Sequence, residues 1–371
     1  MPQASRLLHY VAAAFLSLAS GAVMLGMVEV ALHLRPTLLG RDFANGALSR
    51  YGTGPRGIYY YDQHLHMNFM IPNHSAAMYY NGYFWRHQTD SLGFRNRSLA
   101  VPSDIVLLGD SFIYGHGVEF DSTVGGFLAE QTGLRVANLA RQGDCAFQEA
   151  YLLTEYIGVF RPRYVFYFFF ENDFSDLDVY LTPAEMGAFI DQPLDAIRYP
   201  AREPAEAVRE RLARNSSLLR RAWDGFYLRK AWKWTMWKIR SRQGDAASPG
   251  PHDPYDSQSL EWRYTRKAIA YMGALASSHG ADLVVVPIIQ SFPEYRDRLR
   301  GLAKELSLDY IDTGSLTLAD SSLWLPMDGH FSPRGARSMA RLVARYLESR
   351  EKPRSGGGAD LPPPGGNRAL P

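Results

Sequence analysis

Four short apolar runs, Ile105 to Leu108, Leu134 to Leu139, Tyr164 to Phe170 and Ala281 to Ile289, recur along the chain between polar turns. Runs of this length, bounded by Pro, Gly and polar residues, have the composition of buried strands. The stretches between them, at about Cys145 to Phe160 and Glu261 to Ser278, have helical periodicity, as does a last one from Pro333 to Ser349 behind a Ser332 cap. Strands that alternate with helices pair in parallel, and helices must then cover both faces of the sheet. The expected fold class is α/β, a three-layer α/β/α sandwich around a parallel central sheet. Ligands of such sheets sit at the carboxyl ends of the strands. Ser111, Gly143 and Asn172 fall at those ends.

The first run stops at Gly109 and delivers Asp110-Ser111 into a turn that leads toward a helix. A serine there has an exposed hydroxyl and lies beside backbone N–H groups that the first helical turn leaves unpaired and partially positive. Those features suit nucleophilic attack on a carbonyl. The competing reading is that Asp110 and Ser111 only cap the helix.

At 371 residues, with 46% hydrophobic and 21% charged residues, the chain can bury a large core. A formal charge of +2 argues against a nucleic-acid partner. Cys145 is the single cysteine, which excludes an intrachain disulfide and a cysteine metal cluster.

Residues 1–35 read as a membrane anchor or a signal peptide. Residues 10–28 carry no charge, and 19 residues of helix span about 28 Å against a bilayer core of about 30 Å. Small residues at Ala19-Ser20-Gly21-Ala22 offer a cleavage site, but apolar residues continue past it, which favours an uncleaved anchor. Residues 36–100 form an aromatic-rich lead-in that reads as irregular strand and loop. The α/β body is expected over 101–350, interrupted by a helical insertion at 174–258. Within that insertion, residues 218–242 hold eight Lys/Arg against Asp224 alone, together with Trp223, Trp232, Trp234 and Trp237. As one helix, Leu219, Trp223, Phe226, Tyr227, Trp234 and Trp237 fall near one face. That pattern suits a helix lying on anionic lipid, packing on its own domain, or binding an acidic polymer. Residues 351–371 are Pro/Gly-rich and are expected to be disordered.

A serine nucleophile needs a base, and the base needs a group to hold its tautomer. Asp328-Gly329-His330 precedes the final helix and brings a carboxylate within reach of an imidazole. His116 is the rival base, although a residue so close to Ser111 in sequence is expected to shape the pocket instead. The order Gly109-Asp110-Ser111, Gly143, Asn172-Asp173 and Asp328-x-His330 resembles the SGNH (GDSL-type) hydrolase superfamily over about residues 104–349. The resemblance implies a flavodoxin-like α/β/α fold. It also implies a catalytic triad of Ser111, His330 and Asp328, and an oxyanion hole formed by Ser111 N–H, Gly143 N–H and the Asn172 side chain. No cofactor or metal is implied.

Two departures stand out. Phe170 occupies the place of a family glycine, and the last block reads Asp-x-His where Asp-x-x-His is usual. The shorter spacing resembles a membrane-linked branch that acts on exopolysaccharide O-acetyl groups. The expected function is a serine esterase or O-acyltransferase acting on an acylated cell-envelope polysaccharide or a small ester, with its catalytic body on the periplasmic or extracytoplasmic side. The alternative is a carbohydrate-binding or assembly subunit without turnover.

Overall fold

The structure, a computed structural model, describes residues 2–215, 217–243, 256 and 258–351. The expected tail after Glu351 and the Trp237 side chain lie outside the described residues.

The chain starts with helix α1 (Pro2–Leu34). Within it, His9–Leu34 has a mean hydropathy of 2.1 and is the one stretch among the described residues long and apolar enough to cross a membrane. Its side chains, Tyr10, Phe15 and Leu18 among them, are exposed, so it is not a core helix. Its last turns meet the body. Leu32 is buried with Phe43, Ala47 and Tyr227.

Helix α2 (Arg41–Leu48) leads into two antiparallel hairpins, β1 (Tyr59–Asp62) with β2 (Met67–Met70) and β3 (Ser75–Tyr80) with β4 (Tyr83–Gln88). The lead-in is thus more regular than its composition suggested. Tyr80 pairs with Tyr83 across Asn81-Gly82, both at positive φ (48° and 94°). An Asn-Gly pair of this kind is the strongest short-range hairpin signal; the density of aromatic residues around it masked it.

The central sheet contains β5 (Ile105–Leu108), β6 (Val136–Asn138), β7 (Tyr164–Phe170), β8 (Asp282–Ile288) and β9 (Asp309–Tyr310). Every pairing is parallel, in the order β6-β5-β7-β8-β9. Counted within the sheet this is the order 2-1-3-4-5. The architecture is flavodoxin-like. The edge strand β9 has two residues, too few to carry a pattern.

The helices complete the layers: α3 (Ser111–Tyr114), α4 (Val124–Thr132), α5 (Ala146–Phe160), α6 (Asp173–Tyr180), α7 (Pro183–Asp191), α8 (Ala205–Asn215), α9 (Leu218–Gly225), α10 (Tyr227–Gln243), α11 (Leu260–Ser278), α12 (Glu294–Glu305) and α13 (Pro333–Glu351). Strand alternation along β7 assigns the two faces. Tyr164 and Phe166 meet Tyr346 of α13, while Phe169 meets Phe174 of α6, which in turn packs on Trp262 of α11. All seven β7 residues are apolar or aromatic because both faces are covered.

The basic aromatic segment is two helices, not the single amphipathic helix expected for residues 218–242. The chain is extended at Phe226 (φ −67°, ψ 120°) and restarts at Tyr227. The restart has a tertiary cause. The Glu29 carboxylate on α1 accepts the Tyr227 and Leu228 N–H groups at 2.7 and 2.8 Å, capping α10 from another helix. The expected face is therefore split, with Leu219 and Trp223 exposed and Tyr227 buried.

Candidate active site

The nucleophile turn follows from sterics. A Cβ on Gly109 would lie 2.8 Å from Ile113 Cγ1 and 3.2 Å from Phe168 Cβ, so only glycine lets the chain pass from β5 to α3. Asp110 then caps α3, its Oδ1 accepting the Phe112 N–H at 2.9 Å. The cap and the candidate nucleophile thus belong to one turn: Asp110 caps and Ser111 is presented. Ser111 N–H, at the first helical position, meets no acceptor among the described residues.

The candidate base, His330, comes from the loop before α13. Leu325 N–H donates to the His330 carbonyl at 2.7 Å, and the Asp328 and Gly329 N–H groups donate back to the Leu325 carbonyl at 3.2 and 3.1 Å. Met327 and Gly329 turn the chain at φ 64° and 86°. This tight loop sets Asp328 Oδ1 2.5 Å from His330 Nδ1, and His330 Nε2 lies 2.8 Å from Ser111 Oγ. The three residues expected to form a triad, 219 positions apart at their extremes, thus meet with nucleophile, base and orienting carboxylate in line.

Burial lowers the basicity of His330, and the nearby Asp328 carboxylate opposes that. Burial disfavours an ionised Asp328, but the neighbouring His116 and the hydrogen-bonded His330 outweigh it and hold the carboxyl well below the usual carboxylate range. A charged Asp328 against a neutral imidazole is the resting state of a base ready to take a proton.

Sequence reasoning missed two partners of Asp328. His116 stacks on His330, with ring centroids 4.1 Å apart and planes 16° apart, and its Nε2 lies 3.5 Å from Asp328 Oδ2. Its other nitrogen meets Tyr51 Oη at 3.0 Å. His116 is not a second base on Ser111; it braces the opposite oxygen of the same carboxylate. Asn81, in the β3–β4 turn, donates its Nδ2 to Asp328 Oδ2 at 2.9 Å, and Asn45 of α2 holds Asn81 in turn. The Asn-Gly turn signal could have located Asn81, but nothing local could have paired it with Asp328. The ligating atoms of His116, Asp328 and His330 all lie within 4.8 Å of one another. Because the two His330 nitrogens already face Asp328 Oδ1 and Ser111 Oγ, the cluster reads as a hydrogen-bonded network.

The expected oxyanion donors sit at neighbouring strand ends. Gly143, after β6, has φ 71°; its carbonyl accepts from Tyr180 Oη at 3.1 Å, and its N–H meets no acceptor among the described residues. Asn172, after β7, donates Nδ2 to Asp176 Oδ2 at 2.9 Å, which leaves one Nδ2 hydrogen, while its buried Oδ1 has no donor. Phe170 packs on Phe112 (centroids 4.5 Å), and Phe112 in turn packs on the His330 ring (4.7 Å). Phe170 and Phe112 thus build an aromatic wall beside His330. Glu171, next to it, accepts the Ser291 N–H at 3.0 Å, and Gln290 donates to the Gly329 carbonyl at 2.8 Å, which ties the end of β7 to the base loop.

Behind the nucleophile lie buried acids. Burial pushes Asp110 up to about 7, and burial together with like charge raises Glu149 and Asp173 well above the carboxylate range. Cys145 is buried, with its N–H and Sγ on Gln148 Oε1, and is a capping residue of α5.

No family model matches this chain, and no curated protein does either. Solved structures similar to it include a lipase/acylhydrolase from Enterococcus faecalis (13% identity, 68% of this chain and 98% of that one, TM-score 0.38). Another is a putative lipolytic protein of the G-D-S-L family from Desulfitobacterium hafniense (15%, 65% and 97%, TM-score 0.36). A third is a psychrotrophic esterase from Pseudoalteromonas inhibited by monoethylphosphonate (10%, 67% and 98%, TM-score 0.35). The chemistry of the site rests on the geometry above.

Proposed function

We propose that the chain is a membrane-anchored serine esterase or O-acyltransferase of the SGNH type. The observation that carries this reading is the unbroken line from Ser111 Oγ through the two nitrogens of His330 to Asp328 Oδ1, at 2.8 and 2.5 Å. In the proposed cycle, Ser111 Oγ attacks the ester carbonyl carbon as its proton passes to His330 Nε2, and Asp328 stabilises the imidazolium. The oxyanion is held by Ser111 N–H, Gly143 N–H and the remaining Nδ2 hydrogen of Asn172; each such donor contributes about 3 to 4 kcal/mol to the transition state. The tetrahedral intermediate then breaks its bond to the alcohol oxygen, which takes the His330 proton and leaves an acyl-Ser111. Water or a sugar hydroxyl, deprotonated by His330, attacks that ester and restores the serine. The cycle uses no cofactor.

The substrate class proposed is the O-acetyl groups of a cell-envelope polysaccharide, supported by the Asp-x-His resemblance together with the apolar α1. An uncleaved anchor is supported by Glu29 and Leu32, which lie beyond the candidate cleavage site and are built into the body. Extracytoplasmic placement follows from that substrate. The test is hydrolysis of p-nitrophenyl acetate by the detergent-solubilised full chain, with Ser111→Ala alongside. A Ser111-dependent rate and a fluorophosphonate adduct on Ser111 are expected. Folded protein with neither would refute the enzyme and favour the binding subunit, a reading that the engagement of Asn172 with Asp176 favours.

A further inference from the structure

Where α1 leaves its apolar stretch, the structure holds a cavity of about 630 Å³ between α2, the segment 49–57, and helices α9 and α10. Its lining combines two chemistries. Arg50, Arg56, Arg229, Lys230 and Lys233 present five cations against Asp42 and Asp224, while Phe43, Tyr51, Tyr80 and Trp234 supply aromatic surface. Asp224 is already committed, since its carboxylate meets Arg56 Nε at 3.4 Å and Arg229 Nη1 at 3.2 Å. Arg50 and Lys233 have no acceptor in hydrogen-bond range among the described residues. The crowding shows in the chemistry of the site: burial and the neighbouring Arg56 lower the basicity of Arg50, and the same two causes push Lys230 down to about 8. A half-buried pocket with more cations than anions gains from a bound anion.

Position identifies the anion. The cavity lies at the carboxyl-terminal end of the one helix among the described residues that can span a bilayer, next to the Glu29 contact that fixes α10 to it. Large apolar side chains in the same segments are exposed: Leu34 at the end of the span, Leu38 after it, Leu218 and Leu219 at the start of α9, and Trp223 and Trp232. Trp and Leu beside Lys and Arg at the end of a span are the groups that sit in the headgroup region.

We propose that this cavity binds the phosphodiester headgroup of an anionic membrane lipid, with Arg50 and Lys233 supplying the unpaired cations. The site goes beyond the hydrolase reading and does not depend on it. It places a bound lipid against Tyr51 and Tyr80, both of which touch the His116 ring.

The experiment uses the full chain in a nonionic detergent and follows its thermal midpoint. Short-chain phosphatidylglycerol at saturation is expected to raise the midpoint by about 3 °C or more, and phosphatidylcholine of the same chain length is expected to leave it unchanged. The double variant Arg50→Gln/Lys233→Gln, whose side chains have no hydrogen-bond or ion-pair partner among the described residues, is expected to keep the unliganded midpoint and the rate on p-nitrophenyl acetate but lose the shift. An equal shift with inorganic phosphate alone, or with polygalacturonate in place of lipid, would overturn the lipid assignment. So would a phosphatidylglycerol shift that survives in the double variant. If the double variant lowers the unliganded midpoint, the single variant Lys233→Gln, exposed on α10, is expected to lose at least half of the shift, and an undiminished shift overturns the proposal.

Discussion

Replacing Asp328 by Asn changes one atom and, from the contacts in this site, reverses the tautomer of the base. Asp328 Oδ2 accepts from the Asn81 amide at 2.9 Å, and Oδ1 faces His330 Nδ1 at 2.5 Å. The amide introduced at position 328 must keep its oxygen toward the Asn81 donor, which turns its NH₂ toward His330. His330 Nδ1 then becomes an acceptor, its proton moves to Nε2, and Nε2 can no longer take the proton of Ser111. The expected loss in kcat is about 10³ to 10⁴, or about 4 to 5.5 kcal/mol. The same geometry supplies a rescue. In Asn81→Asp/Asp328→Asn the carboxylate now at position 81 accepts from the amide NH₂ at position 328, which frees the oxygen of that amide for His330 Nδ1–H and restores the tautomer. Recovery of about 10-fold over Asp328→Asn is expected, the worth of one hydrogen bond to a charged group. The assay is steady-state hydrolysis of p-nitrophenyl acetate across pH. Because Asp328 raises His330 against the lowering effect of burial, the acid limb of any residual activity in Asp328→Asn should move to lower pH. A swapped pair no faster than Asp328→Asn would refute the role assigned to Asn81.

Three further outcomes follow from the same contacts. Asp110 is held protonated up to about pH 7 in the native state against an ordinary value of 3.8; its stabilising contribution is complete below about pH 4 and is lost as pH rises to 7, up to about 4 kcal/mol at about 1.36 per unit. The denaturation midpoint of Asp110→Asn should therefore fall less than that of the unaltered chain between about pH 5 and 8, and an identical slope would contradict it. Arg141 is buried with Asp144 (2.8 Å) and the Asn68 carbonyl (2.6 Å), so Arg141→Met should cost about 3 to 5 kcal/mol by chemical denaturation, with part recovered in Arg141→Met/Asp144→Asn. Glu29→Ala removes the cap of α10 and should cost about 1 kcal/mol, read as faster amide exchange at Tyr227 and Leu228 with the rate on p-nitrophenyl acetate unchanged.

Local pattern was enough for the parallel sheet, because its strands are buried on both faces and so read as continuous apolar runs; β7 matches its expected span from Tyr164 to Phe170 residue for residue. Ser111, His330 and Asp328 were legible as candidates for the same reason, since their residue types and strand-end or loop positions are local properties, and the structure brings their side chains together. The Asn-Gly hairpin was equally legible and was passed over, and the two-residue β9 carried no pattern to read. Only the tertiary structure decided what meets Asp328. His116 reaches it from the turn after the nucleophile, and Asn81 from a hairpin 247 residues away; no periodicity encodes a contact at such a distance. The same holds for the break at Phe226: residues 218–242 have the composition of one helix, and the chain restarts at Tyr227 because a carboxylate on α1 takes its free N–H groups. Sequence determines which groups a turn presents, whereas the fold determines which carboxylate oxygen, cation or helix end stands opposite them.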